Sequence, residues 1–147
     1  MNDLVEVGRV GKPHGLAGAF FVERASDDMP IVTAETRVEA MDELFADAAE
    51  DTVVIGHTHH QFDRRASRVR IVNAGSIGMP YEGEVAAFWT LIEDGEPSFR
   101  KTPFDVDRAI AALEASKWPG AAEFVAENVR VAVSREEAIA HFEGMRA

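Results

Sequence analysis

The sequence predicts an α/β protein: short β-strands with flanking helices, led by an N-terminal β-hairpin. Three observations carry that reading. Glycine and proline punctuate two Val- and Phe-rich arms at the start of the chain. A continuous apolar run at Thr52–Ile55 is followed by an alternating one near residue 70. Two Ser/Thr-x-x-Glu boxes, at Thr36 and Ser134, open apolar stripes of helical spacing.

Taken in order, a β-rich arm at 4–10, a turn-rich centre with Gly11, Pro13, Gly15 and Gly18, and a second arm at Ala19–Glu23 make the hairpin. A helix follows. Thr36 with Glu39 is its capping box, and Val38, Met41, Leu44, Phe45 and Ala48 recur until Glu50 and Asp51 end it. Thr-Val-Val-Ile at 52–55 has the unbroken apolar character of a strand buried on both faces. After a histidine-bearing loop, Val69 and Ile71 alternate with Arg68 and Arg70, which predicts a partly exposed strand. Residues 84–105 read as strand, turn at Asp94 and Gly95, and strand, with one of Phe88 and Trp89 packing inward. Asp105 is placed to cap a helix carrying Val106, Ile110 and Leu113, stopped by Pro119 and Gly120. Ser134 and Glu137 cap a last helix with Ala138, Ile139 and Phe142 on its apolar side and His141 on its polar side. Composition shifts at 25–30, dividing a hairpin segment, 1–28, from the rest, 29–147, within one compact domain.

The 147 residues, 46% hydrophobic, suffice for one ordinary core. A net charge of −11 argues against nucleic acid as a partner, because phosphate contacts depend on Lys and Arg. With no cysteine, disulfides and thiol chemistry are excluded. No apolar run approaches the roughly 20 residues that span a bilayer, and the start Met1-Asn2-Asp3 lacks the order of a signal peptide. A cytoplasmic protein without membrane contact is the expectation.

The stretch Val-Val-Ile-Gly-His-Thr-His-His-Gln-Phe-Asp-Arg-Arg, 53–65, carries the chemistry. On extended backbone His57 and His59 face one side and His60 the other. Strand ends of α/β sheets collect ligands, and neutral imidazole suits manganese, iron or zinc. His57 and His59 are therefore expected to share a pocket and hold a single divalent transition metal weakly. The competing reading is a pair of strand-capping histidines bonded to loop carbonyls.

Gly-His-Thr-His at 56–59, followed by Asn-Ala-Gly-Ser at 73–76, resembles the C-terminal half of the calcineurin-like metallophosphoesterases, especially small bacterial phosphodiesterase-like members. The likeness covers about 27–147. It implies a partial two-sheet β-sandwich with flanking helices, and a dinuclear site whose bridging hydroxide attacks a phosphoester substrate. By that resemblance His57 binds one metal and His59 the other. The family's Asp-x-His, Gly-Asp-x-x-Asp and Gly-Asn-His-Glu/Asp motifs do not occur in this sequence. The site is thus expected to be incomplete, weakly active or inactive alone, with a protein partner or homo-oligomer completing it.

Gly-Arg-Val-Gly-Lys-Pro-His-Gly-Leu, at 8–16, resembles instead the start of the RimM-type ribosome maturation factors, over about 1–28. That likeness implies a turn in a small β-barrel and no catalytic role for Lys12 or His14. The chain then reads as a mosaic, which a recombined gene, an engineered fusion or a mis-assembled reading frame would each produce. A ribosome-associated module, or a folded mosaic without function, stays open beside the phosphoesterase. The hairpin is expected to complete the main sheet along its vacant edge.

The remaining polar clusters read as structural. Arg64, Arg65, Arg68 and Arg70 could clamp a phosphate but fit a solvated face better. Asp63 could orient a histidine or cap a turn, and Asn73 sets a turn. Glu35, Glu39 and Asp42 form a solvated helix face.

Overall fold

The computed structural model describes residues 9–14, 19–23 and 31–145. Strand β1 (Arg9–His14) pairs antiparallel with β2 (Ala19–Glu23), so the expected hairpin forms. Its first strand runs later than expected, through Gly11 and Pro13. The register slips between Val10 and Pro13, where a proline cannot donate to the ladder. The arm at 4–8, the turn glycines Gly15 and Gly18 and the seam at 25–30 lie outside the described residues. β1 and β2 form a two-stranded sheet of their own, which corrects the expectation that the hairpin completes the main sheet.

That main sheet has the order β3-β5-β4, with β3 at Thr52–Ile55, β4 at Gln61–Arg65 and β5 at Arg70–Ala74. β3 runs parallel to β5, and β4 antiparallel to it. The expected burial of the two apolar strands is exchanged. β5 lies in the middle, so Ile71, Val72 and Asn73 are all fully buried; β3 lies at the edge, with Val54 48% exposed. β4 has one apolar residue, Phe62, too few to mark a strand in the sequence; Ala66 N–H closes its turn onto Val69 O.

Helix α1 (Val38–Leu44) covers one face of this sheet. Met41 packs there with Val32, Phe62, Ala66, Val69 and Ile71. Its expected capping box is absent, because the Thr36 hydroxyl oxygen accepts instead from Thr33 N–H at 2.8 Å and Arg37 takes the cap position. The arginines secure the same layer. Arg64 donates to Ala34 and Thr36 carbonyls ahead of α1, and Arg68 to Ala46 and Ala48 carbonyls behind it. Asp42 accepts from Ser67 through both carboxylate oxygens.

The opposite face carries β6 (Ala87–Glu93) and β7 (Glu96–Thr102), a hairpin turning at Asp94 and Gly95 as expected. Both turn residues have positive φ, the conformation a two-residue hairpin loop demands. Phe88 packs inward and Trp89 stays partly exposed, again as expected. Gln61 Nε2 donates to Trp89 O and the Thr90 hydroxyl to Ala74 O, joining the hairpin to β4 and β5.

Helix α2 (Val106–Ala115) is capped by Asp105, whose carboxylate accepts from Arg108 N–H. A short α3 (Ala121–Phe124) runs into a π-helical turn, Val125–Val129, which packs Val125 and Val129 on Ile110. Ser134 and Glu137 form the expected capping box of α4 (Arg135–Met145), and those bonds hold the Glu137 carboxyl below its usual range. Among the described residues no helix is long and apolar enough to cross a membrane.

Candidate metal centre

β3 and β5 run parallel, so the histidine loop after Ile55 and the turn after Ala74 emerge at the same end of the sheet. Thr58 organises the loop. It is fully buried; its hydroxyl donates to Val32 O at 2.9 Å and accepts from Asn73 Nδ2 at 2.9 Å. The same Asn73 amide nitrogen donates to Gly56 O, and its carbonyl oxygen accepts from Gly75 N–H. Asn73 therefore sets its own turn, as expected, and also ties that turn to the histidine loop.

With Thr58 drawn inward, the backbone turns sharply on either side. His57 (φ 72°) and His59 (φ 55°) are both left-handed, so the extended spacing that placed them on one side does not apply. Each ring lies against one member of an adjacent aromatic pair. The exposed His57 ring lies 6.1 Å from Phe142, the half-buried His59 ring 5.2 Å from Tyr81, and Tyr81 and Phe142 are 6.2 Å apart. Tyr81 N–H also donates to His59 O.

His60 turns away, as expected, into full burial. Its Nδ1–H donates to Thr58 O at 2.8 Å, while Nε2 accepts from Ala34 N–H at 3.2 Å. Both ring nitrogens are used only by the neutral ring. Burial lowers its pKa, Arg135 adds to that, and the Thr58 bond and Glu82 oppose it. His60 is a structural residue.

His59 is different. Burial lowers its pKa, with lesser contributions from His57 and His60, against a hydrogen bond to the Met79 backbone. Nδ1 is buried and has no hydrogen-bond partner among the described residues. Metal-ligating histidines commonly offer one ring nitrogen while the other is hydrogen-bonded, and the unpartnered Nδ1 of His59 is the nitrogen free to take that part.

Among the described residues no three His, Asp or Glu groups cluster as a metal site. Asp63, weighed as a partner for a histidine or a turn cap, is instead gripped by Arg70 on β5, at 3.0 and 2.8 Å. Glu82 accepts from Gln61 N–H and from Arg135. Arg70 also pairs with Glu96, so three of the four clustered arginines are occupied structurally. His141 is exposed beside Phe142 at 5.7 Å. Two imidazoles without a shared carboxylate do not fit a dinuclear centre, whose ions sit about 3.5–4 Å apart. The sequence reading missed Thr58, Tyr81 and Phe142 as parts of this site. Only Thr58 carried a signal, its place between the two histidines.

No curated protein sequence matches the chain. Among solved structures, the crystal structure of hypothetical protein PH1004 from Pyrococcus horikoshii OT3 is similar, with a TM-score of 0.54 and 14% identity. The likeness covers 64% of this chain and 39% of that one, and at such identity it concerns the fold alone. The calcineurin-like phosphoesterase superfamily domain matches residues 11–94. This corrects the placement at 27–147, since the match begins within β1 and ends at the β6–β7 turn. It takes in most of the segment that resembles the maturation factors, and no match supports that second likeness or the mosaic built on it. Matched over more than half its length, the chain belongs to the calcineurin-like phosphoesterase superfamily.

Proposed function

We propose that this protein is a phosphodiesterase-like metallophosphoesterase derivative in which His57 and His59 take up one divalent transition metal, manganese, iron or zinc, with weak affinity. The observation that carries the reading is the buried, unpartnered Nδ1 of His59, held on a loop that Thr58 and Asn73 fix in place. Family membership supports a phosphoester as substrate. Hydrolysis by two metals needs a ligand that bridges them, and His57 and His59 provide none. On this reading the chain alone turns over phosphodiesters slowly or not at all. A second copy would bring the same histidines again; a partner chain contributing carboxylates would complete the set.

Calorimetric titration with manganese and zinc tests the site. Micromolar or weaker binding is expected, and it should disappear in a His57→Ala, His59→Ala double variant. Binding by that variant as tight as the parent's would place the metal elsewhere. Turnover of a bis-aryl phosphodiester with manganese tests the incompleteness. Robust activity that vanishes in His57→Ala would mean the chain completes its own site.

A further inference from the structure

A half-open cavity of about 170 Å³ lies beside the histidine loop, between α4, the π-helical turn and the segment around Tyr81. Tyr81 and Phe142 line it, and these are the rings that touch His59 and His57. Val133 adds an apolar wall, while Asn128, Glu137 and His141 bring polar groups to the rim. The walls are tied to one another: Arg135 pairs with Glu82 and Gly83 N–H donates to Val133 O. At the far end of α4, Glu143 accepts from the Thr33 hydroxyl at 2.6 Å. The cavity is thus a built feature at the histidine loop's side.

Its size and lining restrict what it can hold. An apolar cavity of about 150 Å³ accommodates one benzene ring. Two aromatic walls inclined at 45° favour a planar π-system over an alkyl chain, through stacked or edge-to-face contacts. The polar rim favours a ring whose edge carries hydrogen-bonding atoms. Tyr81 and Phe142 also lie against the His59 and His57 rings, so the cavity borders the histidine loop.

We propose that this cavity takes the planar aromatic group of a phosphoester whose phosphoryl end reaches His57 and His59. The inference rests on the phosphoester reading of the histidine loop and adds the substrate class: an aryl or nucleoside phosphoester in place of a lipid or sugar one. Aryl and nucleobase groups share the ring chemistry, and the experiment separates them.

The aromatic resonances of Tyr81 and Phe142 in the full chain are followed by NMR during titration with phenol, phenyl phosphate, adenosine monophosphate and inorganic phosphate. The three ring-bearing compounds should shift them and inorganic phosphate should not, with phenyl phosphate binding more tightly than phenol. Tighter binding of adenosine monophosphate identifies a nucleoside, the reverse order a simple aryl group. Val133→Phe fills the cavity and should abolish the shifts. Phe142→Leu keeps an apolar wall and should weaken ring binding about three- to tenfold. Phenyl phosphate that leaves both rings unperturbed, or binds Val133→Phe as well as the parent, overturns the proposal. Manganese titration of the same sample keeps the two readings apart. Metal uptake without ring binding sinks the cavity's role alone, whereas ring binding without metal uptake sinks the metal site and leaves the cavity's preference intact.

Discussion

Asn73 Nδ2 donates to the Thr58 hydroxyl at 2.9 Å, and through that bond the middle strand of the sheet fixes the shape of the histidine loop. The hydroxyl in turn donates a hydrogen bond to Val32 O, on the segment leading to α1. Three stretches distant in sequence meet at one buried oxygen. The left-handed backbones of His57 and His59 cost roughly 1 kcal/mol or more each, and such strain persists only where the surroundings impose it.

Asn73→Ala should therefore unfold more readily than the parent by about 2–4 kcal/mol, because it removes a fully buried side chain, takes its bonding partner from Gly75 N–H and leaves Gly56 O with only the Thr58 N–H. Urea denaturation measures the difference. Metal uptake at His57 and His59 should fall with it under native conditions, since the loop loses its tether. A variant as stable as the parent would show that the tether is dispensable.

The turn beyond Asn73 admits only glycine. Gly75 has φ +85°, and a Cβ there would lie 2.7 Å from Gln61 Cγ and 3.2 Å from Phe88 Cβ. Gly75→Ala should cost about 1–3 kcal/mol. Gly78 has an ordinary φ and open space around it, so Gly78→Ala should stay within about 0.5 kcal/mol of the parent. Equal thermal stability of the two variants would contradict the turn geometry.

What the sequence disclosed depends on whether a residue's role was local. The β6–β7 turn, the Asp105 cap and the Ser134–Glu137 box rest on contacts within a few residues, and all three are as read. Thr36 and Glu39 have the same local pattern, but Thr33 N–H engages the Thr36 oxygen first. Burial of β3 and β5 was misjudged because strand order is not written in either strand: Thr-Val-Val-Ile is apolar at the edge, while Arg-Ile-Val-Asn lies in the middle. β4 was invisible because its inward residues are Phe62 and Arg64, the latter held by carbonyls near α1. For the site, the extended geometry from which the His57–His59 spacing is read is not the geometry adopted, since both residues are left-handed.

The pair between Asp63 and Arg70 makes a pH-dependent contribution. Hydrogen bonds from Arg70 hold the Asp63 carboxyl below its ordinary 3.8, outweighing the opposing effect of burial. Folded Asp63 thus binds a proton less readily than unfolded Asp63. Its contribution is fully present above that ordinary value and is lost as pH falls below about 4, through the folded pKa. Asp63→Asn should melt slightly below the parent at pH 7, and the gap should close on acidification through this range. High salt should narrow it too, because both side chains are partly exposed. A gap that persists unchanged at pH 2 would assign the effect to packing.

His59 and His60 are neighbours whose rings are used differently, and this gives the sharpest test of the metal site. His60 must carry its proton on Nδ1, since Thr58 O can only accept and Ala34 N–H can only donate. His59 Nδ1 is buried without a partner among the described residues, and the proposed site requires it to carry the lone pair, with the ring proton on Nε2. Long-range proton–nitrogen NMR spectra at neutral pH should show one ring of each kind. Added manganese should broaden the resonances of His57 and His59 first, because both nitrogens of His60 are already bonded within the fold. Zinc should shift the His59 Nδ1 signal while its Nε2 proton persists. His60→Gln serves as a control: it should lower stability by about 1–3 kcal/mol through an unpaired Ala34 N–H or Thr58 O, yet keep metal binding in the fraction that stays folded. An Nδ1-protonated His59 would remove the lone pair on which the proposed site depends, whatever metal is then bound.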